Sequence, residues 1–260
     1  MSEADTVENR SKSYAKQTVV AGFVVSIATL VIFYTSAFRT LRVPMAYALP
    51  IVLIYAIVLA FSLYRQGAAN LPRASFLAGA LFAAGGAALD GFATLANTPT
   101  LAREANRIAR ALLDSGHPLN FVIMYGVIAQ GLFVLLLCIL WAAFLRHRQI
   151  LIASARSKNP KSVMAFVKAG LGAAHLSWRQ YFFPLKPSDL PTAYHMVWAM
   201  TAVLVGGSLY RWYLGLAWLG AFPWSWSIAV LVIVFLLVSL VYMAWLALAY
   251  TKDSAAKAEG

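Results

Sequence analysis

The sequence predicts an all-α fold, a polytopic membrane helix bundle of about six transmembrane helices with short amphipathic interfacial helices. Three observations lead there. Of the 260 residues, 62% are hydrophobic and 12% charged, against about half and a quarter in an ordinary soluble domain. The apolar residues come in long blocks, as they do where lipid is the solvent. The basic residues that give the +12 net charge fall between the blocks, where they act as topological signals and attract anionic lipid rather than nucleic acid.

A transmembrane helix needs about 20 mostly apolar residues. After a polar N-terminal tail, 1–16, the first span is expected over 17–37, an uncleaved anchor because it is too long for a signal peptide and follows acids as well as bases. The second is expected over 43–64, the third over 75–96 and the fourth over 118–145. The fifth, 193–214, is interrupted by Gly206-Gly207 and holds Arg211; the sixth covers 225–250, before a polar tail, 251–260. No internal repeat is visible, which argues against an inverted-repeat transporter. With this layout 15 of the 21 Lys and Arg lie on the side of both termini, so both termini are expected in the cytoplasm.

Two connections have structure of their own. On the outer side, Thr98-Pro99 suits a helix start, Leu101, Ala105, Ile108 and Leu112 make an apolar stripe, and Asp114-Ser115-Gly116 a stop, giving an amphipathic helix near 99–114. On the cytoplasmic side, 146–192 is read as a basic interfacial loop. Within it Lys161, Lys168 and His175 are spaced by seven, with Arg179 four further on, so they share one helix face. That face is expected to meet anionic lipid headgroups.

The third span carries small residues at every fourth position, Gly79, Ala83, Ala87 and Gly91, a spacing that lets another helix approach closely. It also carries Asp90. A charge at the centre of a transmembrane helix costs about 2.5–3.5 kcal/mol on insertion scales, so Asp90 is expected to face the bundle. Thr94 and Asn97 share its face, and Arg39, Arg42 and Arg211 belong to the same side as charge partners. Glu104, Asn106 and His117 complete the candidate polar site.

The run Asp90-x3-Thr94, then Glu104-Ala105-Asn106, then Gly116-His117 before a span, resembles a group of small multi-span prokaryotic membrane proteins with an Asp-x3-Thr and Glu-x-Asn-Pro pattern. Arg107 stands where that pattern has proline. The resemblance covers 86–130, implies a prokaryotic inner membrane, and marks Asp90, Thr94, Glu104 and Asn106 without supplying a chemistry.

Few chemistries suit the remaining residues. Cys138 is the sole cysteine, so no intrachain disulfide forms. The four histidines, His117, His147, His175 and His195, include no pair at zinc-binding helical spacing, and His117 and His195 begin on opposite sides, unlike haem ligands. No nucleophile-elbow or phosphate-binding glycine motif occurs. No metal or cofactor is expected. Two functions compete: a non-enzymatic membrane protein (assembly factor, partner subunit or small-solute pathway), or an intramembrane or outer-face enzyme using the Asp90 and Glu104 carboxyls. Convergence of those carboxyls with His117 in a wet pocket favours the enzyme; capping of each by arginine or backbone favours the first.

Overall fold

The described residues include seven α-helices, with a π-helical segment just before the sixth and a short 3-10 turn just before the seventh. A computed structural model describes 40–67, 69–101, 106–157, 159–170 and 203–258, with Gln17. The expected first span, Arg39, Glu104, His175, Arg179, His195 and the start of the fifth span lie outside these residues. The helices are α1 (Arg42–Arg65), α2 (Arg73–Asn97), α3 (Arg107–Asp114), α4 (Leu119–Ser157), α5 (Val163–Gly170), α6 (Tyr210–Trp218) and α7 (Ser227–Ala258). Among the described residues, four helical stretches are long and apolar enough to cross a membrane: Arg42–Arg65, Arg73–Asn97, Leu119–Arg148 and Val232–Thr251.

Helix α2 sits at the centre because two of its faces are made of small residues. One face meets α4: a Cβ on Gly79 would collide with the indole of Trp141, Ala83 packs with Leu137, and Gln130 Nε2 donates to the Ala87 carbonyl at 2.5 Å. Gly91 has the Gln130 carboxamide beside it. The stripe Gly79, Ala83, Ala87 and Gly91 is therefore a helix–helix seam. The other face meets α6. Trp212 lies over Gly85 and Gly86 and its Nε1–H donates to the Phe82 carbonyl at 2.9 Å. Gly215 of α6 abuts the backbone of Leu89 and Asp90 in turn. Glycine thus receives the neighbour on both sides of this contact.

Helix α6 is entered through the π-helical segment Val203–Leu209. A π-turn is wider than an α-turn and is rare outside single-turn insertions. Here it includes Gly206-Gly207, and Gly207 gives up its Cβ space to the Leu137 side chain.

At one end of the bundle, Arg146 and His147 clasp the end of α1. The guanidinium donates to the carbonyls of Ala69, Tyr64 and Gly67 and stacks over the Tyr64 ring. His147 donates through Nε2 to the Leu63 carbonyl at 3.0 Å. The last carbonyls of a helix have no partner within it, and a cation there also meets the negative end of the dipole.

Two expectations change. The amphipathic helix expected near 99–114 begins at Arg107, not at Pro99: Thr98 is the C-cap of α2, with φ −144° and ψ 71°, and Leu101 turns with φ +54° into the cluster of Ala46, Ile108, Leu112 and Val122. The fourth span does not give way to a loop at Arg146: α4 continues to Ser157, 39 residues in all, because nothing in Leu132–Ser157 breaks a helix. In the segment expected to present a basic face to lipid, Val163–Gly170 is a helix whose apolar face packs against α4 and α7 through buried Phe166, Val167, Ala169 and Gly170. Lys161 is exposed and Lys168 half-buried. Leu246 and Tyr250 give the apolar face its protein surface.

Candidate functional site

Asp90 enters the bundle from the α6-facing side of α2. Its Oδ2 lies 3.9 Å from Nη1 of Arg211, and the two side chains are 21% and 22% exposed. Arg211 also stands over the Phe133 ring of α4, 5.2 Å from its centre. The guanidinium therefore touches α2 through charge and α4 through a cation–π contact. Such a pair is the usual means of carrying a carboxylate inside an apolar bundle. It forms because Gly215, one turn beyond Arg211, brings the α6 backbone against Asp90 itself.

The other candidates fall elsewhere. Thr94 is half-buried on α2, and its carbonyl accepts the N–H of Thr98. Asn97 is exposed and turns back, donating through Nδ2 to the Ala93 carbonyl at 2.9 Å. Asn106 is the N-cap of α3: its Oδ1 accepts from Ile108 N at 3.0 Å and from Ala109 N. Arg107 consequently occupies the first helical position, where proline is favoured. Asn106 already has φ −68° and ψ 106°, the extended conformation that a following proline requires. Arg42 opens α1 at the same end of the bundle.

His117 is held by its own neighbours. Gly116, at φ +89°, closes α3 with the paired bonds Gly116 N–H to Leu113 O and His117 N–H to Leu112 O. The imidazole then reaches Tyr47 of α1, with 2.6 Å between the hydroxyl and Nε2. Its Nδ1 is 3.2 Å from the Leu112 carbonyl and 3.0 Å from Ser115 Oγ, and its ring lies on Phe121. A carbonyl only accepts, so Nδ1 carries the proton and Nε2 accepts from Tyr47. The residues His117 meets are Tyr47, Leu112, Ser115 and Phe121, and Asp90 is not among them.

No protein-family model matches the chain, and no curated protein or solved structure is significantly similar to it. Among the described residues no three His, Cys, Asp or Glu side chains gather where they could hold a metal ion.

Four residues take part in ways that the sequence does not announce. Tyr47 gave no signal beyond an aromatic residue in an apolar block. Phe133, as the ring under Arg211, was equally silent. Arg146 and His147 were visible as charge at the end of a span, but their role on the α1 carbonyls depends on the turn between α1 and α2.

Proposed function

We propose that this chain is a multi-pass inner-membrane protein of six spans, with both termini in the cytoplasm, that performs no chemistry of its own and serves as an assembly factor or partner subunit. The observation that carries this reading is the separate engagement of the polar side chains. Asp90 is on Arg211, His117 on Tyr47 and the Leu112 carbonyl, Asn97 on the Ala93 carbonyl, and Asn106 on the α3 amides. An acid–base site needs its groups within reach of one reacting atom; among the described residues, which do not include Glu104, these contacts belong to different parts of the bundle.

A solute pathway fits less well. It needs a polar wall through the bundle, whereas the seams around α2 are filled by Trp141, Trp212 and Leu137 set against glycines. Engagement of Asp90 by an arginine belongs with a charge that ties helices together.

The test is purification of the full chain from its native membrane in a mild detergent, with mass spectrometry of everything retained. A second polypeptide at fixed ratio, kept through size-exclusion chromatography, is the expected result. A monodisperse chain that carries a tightly held small molecule and turns it over would overturn the reading and favour the enzyme using Asp90 and Glu104.

A further inference from the structure

The turn between α6 and α7 reads Leu-Gly-Ala-Phe-Pro-Trp-Ser-Trp over 219–226; it carries no charged side chain and is exposed at every residue. Leu219, Phe222, Trp224 and Trp226 are between 41% and 55% exposed. Clustered apolar exposure of this kind marks an interaction surface.

The turn is built to hold these rings outward. Gly220, at φ +79°, ends α6 with bonds from Gly220 N–H to Ala217 O and from Ala221 N–H to Leu216 O, a helix stop that only a residue without Cβ adopts freely. The Tyr213 hydroxyl donates to the Pro223 carbonyl at 2.6 Å. Trp218 and Trp224 pack edge to face at 4.9 Å, and Trp226 N–H closes on Pro223 O. The exposed aromatics therefore belong to a braced turn.

Its height in the bundle follows from the seam between α2 and α6. Trp212 lies at Phe82–Gly86 and Gly215 at Leu89–Asp90, so the two helices run parallel. At about 1.5 Å per residue, the turn lies level with the end of α2 at Asn97. Below it the exposed face continues into Val232, Ile233, Leu236, Leu237 and Leu240 of α7. An uncharged aromatic turn at the end of an apolar face is suited to one environment, the boundary between acyl chains and headgroups. There an indole buries its ring and donates its N–H to lipid oxygens.

We infer that the 219–226 turn is a membrane anchor that seats Trp224 and Trp226 in the headgroup boundary of the leaflet at the Asn97 end of the bundle. The inference rests on the proposed membrane-spanning arrangement. The partner is the zwitterionic or anionic glycerolipid surface alike, because the turn has no charge with which to choose, and the contact is insensitive to salt.

The test uses the full chain reconstituted in phosphatidylcholine vesicles, with lipids brominated either near the ester end or near the midplane. The chain has 8 tryptophans, so the signal is the fluorescence difference between wild type and Trp224→Phe/Trp226→Phe, with each single substitution as a check on folding. That difference should be quenched most by the shallow bromines, little by iodide in the water, and equally at low and high salt. Quenching of the difference signal by aqueous iodide but not by either brominated lipid would overturn the anchor. Release of the whole chain from vesicles by an alkaline wash would instead bring down the membrane-spanning reading, and the anchor with it.

Discussion

Nη1 of Arg211 on α6 lies 3.9 Å from Oδ2 of Asp90 on α2, in a region where both helices otherwise touch through glycine and tryptophan. The pair is thus a polar fastening inside an apolar seam. Removing one partner takes this attraction away from the other charge. Arg211→Gln should lower stability by about 1–3 kcal/mol, below the range for fully buried pairs because each side chain keeps some exposure. The double variant Asp90→Asn/Arg211→Gln should recover part of that loss. Thermal unfolding in detergent measures all three, and strictly additive losses would mean the two side chains do not support one another.

Gly215 and Gly131 make a matched pair of opposite sign. A Cβ on Gly215 would stand 2.7 Å from Leu89 Cγ and 3.0 Å from Asp90 N, whereas one on Gly131 meets nothing within 4 Å among the described residues. Gly215→Ala should therefore destabilise by about 1–3 kcal/mol. Gly131→Ala should be neutral or stabilising by up to about 1 kcal/mol through helix propensity. Equal melting temperatures for the two variants would contradict the close approach of α6 to α2.

Asn106 and Arg107 give a test of the capped start of α3. Asn106→Ala should cost about 1 kcal/mol, and Asn106→Asp should retain the cap. Arg107→Pro should be tolerated, because the first helical N–H has no partner inside the helix. Hydrogen exchange of the Ile108 and Ala109 amides reports the effect directly. Rapid exchange in Arg107→Pro would place the start of α3 elsewhere.

The proposed topology is checked with reporter fusions at Ser115 and Gly260. An alkaline phosphatase fusion should be active after Ser115 and inactive after Gly260, with a cytoplasmic fluorescent reporter giving the reverse. Activity of the phosphatase at Gly260 would remove the arrangement with both termini inside.

The middle of the bundle was legible in the sequence because local rules govern it. The expected spans 43–64 and 75–96 fall within Arg42–Arg65 and Arg73–Asn97, since apolar length and flanking arginines need no knowledge of neighbours. The four-residue spacing from Gly79 to Gly91 named a seam but not its partner. Trp141, Leu137 and Gln130 supply that partner through the antiparallel register of α4. Thr98 misled because its side chain suits a helix start, while its backbone is already committed to the end of α2. The Asp90 region was readable as charge in an apolar block. Its pairing with Arg211 depends on the π-helical entry and Gly215, which set the rotation and distance of α6. The burial of Phe166 and Val167 was hidden for a similar reason: α7 supplies a surface that no local pattern announces.

One dimension of the fold bears on how anything bound at its basic end would be felt. Helix α4 has 39 residues, about 58 Å at 1.5 Å per residue, nearly twice the roughly 30 Å of bilayer hydrocarbon. From Leu132 to Ser157 it contains neither glycine nor proline, the residues at which helices ordinarily kink. Trp141 against Gly79, Arg146 on the α1 carbonyls and Ala155 in the cluster with Phe166 are all carried by this one rod. A sideways force at Ser157 would meet no joint on the way down, and the rod would deliver it as a tilt to the seam with α2.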